Sequence, residues 1–150
     1  EFIFLFLGEG HGKQQILDSK LPNVIYHNSI GPEEVIGIYH RSYACFVSLK
    51  PIPSFEKFIP SKMFEIMASG TPTIGLVQGE ARQILEASQS AICQDPGLTQ
   101  ESAMKLKSKI ESLTPAEHHK LSSNGKKFVL ENYSRQQIAQ RYLRVLKELK

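Results

Sequence analysis

The stretch IPSKMFEIMASGTP, residues 59–72, decides how the rest of the chain is read. Pro60 and Ser61 read as a helix entry, with the Ser61 hydroxyl placed to cap a free backbone N–H. Met63, Phe64 and Met67 fall on one side at helical spacing and are expected to face a core. Gly70 and Pro72 stop the helix, and the apolar run from Pro72 to Val77 starts the next buried strand. Glu65 lies roughly opposite the apolar stripe, on the same side as Lys62 and Ser69. A helix N-terminus with unpaired N–H groups suits a phosphate, and a nearby carboxylate can accept hydrogen bonds from the vicinal hydroxyls of a sugar. A nucleotide or nucleotide-sugar site needs that pairing. Lys62 and Glu65, three residues apart, also fit an ordinary exposed ion pair worth roughly a few tenths of a kcal/mol, which spacing alone favours.

Outward from this stretch, short apolar runs alternate with amphipathic ones over the first hundred residues. Residues 2–7, 24–27, 44–48, 73–77 and 91–93 read as strands, and 12–19, 32–41, 61–69 and 79–87 as helices. Alternation of this kind with fully apolar strands predicts a parallel sheet covered on both faces. Gly31-Pro32-Glu33-Glu34 is a helix entry, with Pro at the first helical position and acids in the first turn. The last fifty residues read as helical throughout. Thr114 to Glu117 and Ser134 to Gln137 have capping-box spacing, and Ile138, Tyr142, Val145 and Leu149 make an apolar stripe beside Arg141, Arg144, Lys147 and Glu148. The expected fold is thus α/β, one Rossmann-like parallel sheet flanked by helices with a helical C-terminal tail, forming one domain over residues 1–150. Ligands of such sheets bind at the carboxyl ends of the strands, which singles out residues 8–12, 28–31, 49–60 and 78–80.

A chain of 150 residues is long enough for one real core and short for two. Its hydrophobic content of 41% suits a globular protein, and no apolar run approaches the ~20 residues of a membrane span. The chain opens at Glu1 directly into a strand, as expected of a piece cut from a longer protein. Cys45 and Cys93, far apart in apolar runs, are expected as free thiols in a reducing compartment. The His118-His119 pair has no Cys or carboxylate at ligand spacing, so no metal site is expected. The net charge of +3 conceals an asymmetry: residues 1–100 hold 7 Lys+Arg against 10 Asp+Glu, and residues 101–150 hold 11 against 5. Such a basic end fits a solvated helix face best, and a peripheral contact with anionic lipid head groups second. Its few aromatic residues argue against single-stranded nucleic acid.

The Gly8-Glu-Gly-His-Gly-Lys13 segment fails two phosphate-binding patterns. A P-loop needs Gly where Leu7 stands and Ser or Thr where Gln14 stands. A dinucleotide fingerprint needs a third Gly at Lys13 and an acid near Asn28. The segment reads as a strand-to-helix turn, with Gly8 and Gly10 where backbone could approach a ligand. No Gly-x-Ser-x-Gly elbow or Ser/His/Asp set is evident.

The order of these features resembles the C-terminal, donor-binding domain of family 4 retaining glycosyltransferases of the GT-B fold. The resemblance is carried by PSKMFEIMASGTPTIG at 60–75, LFLGEG at 5–10, NVIYHNSIGPEEVIGIYHRSYACFVSL at 23–49, the Gly79-Glu80 turn and ENYSRQQIAQRY at 131–142. It covers nearly the whole chain and is closest in style to transferases that build bacterial surface polysaccharides. It implies that Glu65 holds ribose, that backbone N–H groups around Lys62, Met63 and Phe64 hold the diphosphate, and that Ser29 and Ile30 lie against the base. It also implies that residues 56–60, with Pro60, and Gly79–Glu80 approach the donor sugar. The family's two glutamates are separated by seven residues. Glu65 matches the second, whereas Lys57 stands at the first, and Glu56, the catalytic candidate, stands one residue early.

The resemblance further implies a UDP- or GDP-sugar donor, no cofactor and no metal, a glycan or lipid-linked acceptor, and work in the cytoplasm or at the inner membrane face. The family's other phosphate-clamping Arg and Lys would precede Glu1, so this chain alone is expected to be inactive. In the family the last helix commonly crosses back to the N-terminal domain, so part of the 138–149 stripe is expected to be exposed. A nucleotide-sugar epimerase, or a non-enzymatic nucleotide-binding module, are the alternatives.

Overall fold

The computed structural model describes residues 2–149. They form two compact units, divided between Gly37 and Ile38.

In the first unit, β1 (Phe4–Leu7) and β2 (Val24–His27) pair in parallel, Phe4 against Val24 through Leu7 against His27. The six-residue helix α1 (Lys13–Asp18) joins them. No described residue of this unit is fully buried, and Phe4, Leu5 and Phe6 are 39%, 43% and 41% exposed. The expectation of strands covered on both faces is not met here. Two short strands and a helix of under two turns have too little surface to enclose a core. The helix α2 (Pro32–Arg41) begins in this unit and ends in the next. It has the expected limits: Pro32 opens it, Glu33 and Glu34 occupy the first turn, and His40 and Arg41 the last, each sign matching the helix dipole. The Glu34 carboxylate also accepts from the Gly31 N–H at 3.1 Å.

The second unit holds a parallel sheet in the order β3 (Cys45–Ser48), β4 (Thr73–Leu76), β5 (Ala91–Gln94), with Cys45 against Thr73 against Ala91. Both faces of this sheet are covered, as the apolar strands predict. On one face Val47, Met63, Ile66, Met67, Val77, Ala81 and Leu85 are buried together with Val129. A second cluster gathers the paired Ile74 and Ile92 with Leu106. The helices supplying these residues are α3 (Lys62–Ala68), α4 (Gly79–Ser88), α5 (Gln100–Glu111) and α6 (Pro115–Asn132). Cys45 and Cys93 are free and half-buried. Burial raises both thiols, Cys93 to about 11.

Local chemistry sets the helix ends. Gly70, at φ +73°, lets its N–H reach Met67 O at 3.0 Å and the Thr71 N–H reach Ile66 O at 3.2 Å, closing α3 with a Schellman motif. The Thr114–Glu117 capping box forms in full, with Glu117 accepting from the Thr114 N–H at 2.8 Å and Thr114 Oγ1 from the Glu117 N–H at 3.2 Å. A box at Thr99 and Ser102 was not expected, because Ser replaces the usual Glu or Gln. At Ser134 only one half forms, its hydroxyl accepting from the Gln137 N–H at 3.4 Å. The helix α7 (Arg135–Glu148) has no buried residue, and Tyr142 and Leu149 are 69% and 78% exposed.

Two expectations around residues 61–69 are corrected. Ser61 does not cap α3: its own backbone is already helical, at φ −57° and ψ −36°, and its side chain makes no capping bond. Ser69 does not share the Glu65 side. It is buried, and its hydroxyl donates to Ile66 O at 2.7 Å beside Thr71 Oγ1.

Candidate functional site

Within the second unit, the loop after β3 and the start of α4 after β4 meet at the carboxyl end of the sheet. The Leu49 N–H donates to Leu76 O at 3.0 Å, and Gln78 Nε2 to Ile52 O at 3.3 Å. The Glu80 N–H donates to Glu56 O at 2.7 Å. A 3-10 turn at Pro53–Phe55 shapes the loop between these anchors, and Phe55 packs on Phe58 with centroids 5.6 Å apart. The loop then leads through buried Pro60 into α3.

On α3, burial of Met63, Ile66 and Met67 fixes the rotation of the helix and turns Lys62 and Glu65 outward. The Lys62–Glu65 ion pair does not form. Neither side chain has a hydrogen-bond or salt-bridge partner among the described residues. The Met63 N–H donates to Pro60 O at 3.2 Å and the Phe64 N–H to Ser61 O at 3.0 Å, so these two amides are engaged within the first turn. Those of Ser61 and Lys62 have no acceptor among the described residues. Phe64 itself is half-buried against Tyr133, with ring centroids 4.6 Å apart.

Tyr39 belongs to this neighbourhood and was missed by sequence reading. Burial raises its phenol pKa, and the negative charges of Glu65 and Cys45 raise it further. Its carbonyl accepts from Thr71 Oγ1 at 2.7 Å, which ties the end of α2 to the α3–β4 turn. No local signal marks Tyr39, because its approach to Glu65 depends on packing between distant segments. Glu56, Lys57 and Glu80 are exposed, and Gly79 is half-buried.

In the first unit, the remaining candidates stand at the carboxyl ends of β1 and β2. Gly8, at φ +122°, donates its N–H to His27 O at 3.1 Å, and its carbonyl accepts from the Tyr26 hydroxyl. Gly10 closes the turn into α1, its carbonyl accepting from the Lys13 N–H at 3.1 Å. Ser29 is exposed and Ile30 half-buried in the link to α2. Lys13, not singled out from the sequence, bonds Glu9 at 3.0 Å and Asn28 at 3.1 Å, over the Tyr26 ring at 5.0 Å. The Glu9 carboxylate is the main cause that raises its ammonium. Among the described residues no three His, Cys, Asp or Glu side chains gather as a metal would require. No described helix is long and apolar enough to cross a membrane.

The model of a family described as glycosyl transferase-like matches residues 2–144. The chain belongs to this family. Its fold is that of the C-terminal portion of a GT-B glycosyltransferase. The crystal structure of a glycosyltransferase from Rickettsia africae superimposes with a TM-score of 0.76 at 17% identity, over 99% of this chain and 40% of that one. AviGT4, a glycosyltransferase involved in avilamycin A biosynthesis, gives a TM-score of 0.70 at 15% identity, over 95% of this chain and 41% of that one. The chain therefore spans about two-fifths of the length of these solved structures. No curated protein matches it.

Proposed function

We infer that this glycosyltransferase domain binds the donor, a nucleoside-diphosphate sugar of the UDP or GDP type. The domain then serves transfer with retention, onto a glycan or lipid-linked acceptor, in the synthesis of surface glycans at the inner face of the membrane. The observation that carries the donor assignment is the Glu65 carboxylate, held outward by a buried helix face and left without an intramolecular partner among the described residues. A carboxylate so placed can accept two hydroxyl hydrogen bonds from a ribose without breaking any bond of its own.

Lys62 and the amides of Ser61 and Lys62 supply positive charge one turn earlier, where a leaving diphosphate needs it. In the same reading Glu56 faces the sugar, while in the first unit Ser29 and Ile30 are the candidates for contact with the base and Gly8 and Gly10 those whose backbone could approach a ligand.

Calorimetric titration of the chain with UDP and GDP tests the reading. Glu65→Ala is expected to weaken the bound nucleotide by about 1.5–3 kcal/mol, the range for a hydrogen bond to a charged group. EDTA is expected to leave the wild-type affinity unchanged. An unaltered dissociation constant in folded Glu65→Ala removes Glu65 from the site.

A further inference from the structure

The start of α4 is built around the backbone of Glu56. Gly79 has φ +61°, a left-handed conformation that favours glycine. A Cβ there would lie 2.6 Å from both the carbonyl carbon and the Cα of Glu56, and closer still to its oxygen. That carbonyl oxygen is the acceptor of the Glu80 N–H at 2.7 Å. One residue earlier, Gln78 Nε2 holds the same loop at Ile52 O, at 3.3 Å. The first amides of a helix are the ones available to an anion. Here one of them is given to the protein's own loop.

We propose that Gly79 is a positioning residue for Glu56: its bare α-carbon lets the Glu56 carbonyl seat on the Glu80 amide, which fixes where the exposed Glu56 carboxylate stands. Gly79 and Glu80 then act on the donor sugar through Glu56, with no ligand contact of their own from the Glu80 amide. The role assigned to Glu56 rests on the donor-binding reading, whereas the seating of its backbone does not.

The loop carries its own reporter. Lys50 precedes Pro51 and resists trypsin, so cleavage after Lys57 reads the loop alone. Wild type, Gly79→Ala and Glu56→Gln are compared by trypsin cleavage at Lys57 and by calorimetry with UDP, GDP, UDP-glucose and GDP-mannose. In Gly79→Ala, loss of the seated bond is expected to speed cleavage by about tenfold. Affinity for the bare nucleoside diphosphate should stay within about twofold, and the extra affinity given by the sugar should disappear. Glu56→Gln should lose the same sugar-dependent gain while Lys57 remains protected.

Wild-type cleavage in Gly79→Ala overturns the seating. An equal fall in bare-nucleotide affinity makes Gly79 merely structural, and also overturns the proposal. Should Gly79→Ala not fold, Glu80→Pro removes the bonded N–H in the first turn, where proline is tolerated, and carries the same comparison. A wild-type chain that binds none of the four nucleotides overturns the donor reading and the role of Glu56 with it, while the trypsin result still decides the seating.

Discussion

At Glu65 and Thr73 the same question, whether a polar side chain has a partner, leads to opposite conclusions because the solvent differs. The Glu65 carboxylate is exposed, so water satisfies it. Thr73 is 0% exposed, and its Oγ1 has no hydrogen-bond partner among the described residues. A buried hydroxyl without a partner costs about 1–3 kcal/mol in desolvation, and valine has nearly the same shape without that group. Thr73→Val is therefore expected to raise the stability to urea by about 1 kcal/mol, read as a higher midpoint at unchanged slope. A lower midpoint would mean that the hydroxyl is bonded in solution.

At the scale of elements, α6 organises the second unit by completing other helices. Ser122 donates its hydroxyl to the Gly70 carbonyl at the end of α3, and Asn124 Nδ2 donates to Gln89 O at the end of α4, at 3.2 Å. Between them Gly125 lets α6 approach closely. A Cβ there would lie 2.9 Å from Ser90 Cβ and 3.4 Å from Met67 Cβ. Gly125→Val places a branched side chain into that contact, and overpacking is expected to destabilise the protein by about 1–3 kcal/mol in urea unfolding. Little or no loss would show that α3 and α6 can move apart freely. The N-terminus of α6 should also titrate. Hydrogen bonds from the Thr114 N–H and hydroxyl lower the Glu117 carboxyl pKa. Its native value lies below the unfolded one, so its contribution is complete above the ordinary glutamate range and fades as the pH falls through the native value. Thermal melts of wild type and Glu117→Gln are expected to differ at neutral pH and converge in acid.

At the scale of the whole molecule, apolar surface is unevenly used. The second unit buries a core on both faces of its sheet, whereas α7 and the Leu149 that ends it leave Tyr142, Leu143, Val145, Leu146 and Leu149 between 55% and 78% exposed. An uncovered apolar stripe of this kind seeks partners. Weak, concentration-dependent association is expected in sedimentation. Replacing Tyr142 and Leu149 together by Ser should reduce it without lowering the melting temperature, because neither residue contributes to the core. A clean monomer, with a double variant that loses several kcal/mol, would place the stripe inside the fold instead.

Alternation of apolar runs and helical periods determined the α/β class, and the limits of β2 and α2 were legible to the residue, because strand periodicity and the Gly31-Pro32-Glu33-Glu34 entry are local signals. The outward direction of Glu65 was legible too, since Met63 and Met67 had to be buried. Tertiary structure decided what local patterns do not encode. Ser61 has capping chemistry, yet the loop delivers it already helical, and Ser69 shares the periodicity of Glu65 but is drawn inward by Thr71. Apolar runs of similar composition became buried strands in one unit and exposed strands in the other, because burial depends on how many neighbouring elements supply surface. The seating of the Glu56 carbonyl on the Glu80 amide, beside Gly79, joins positions remote in sequence, and only the folded chain brings that carbonyl to that amide.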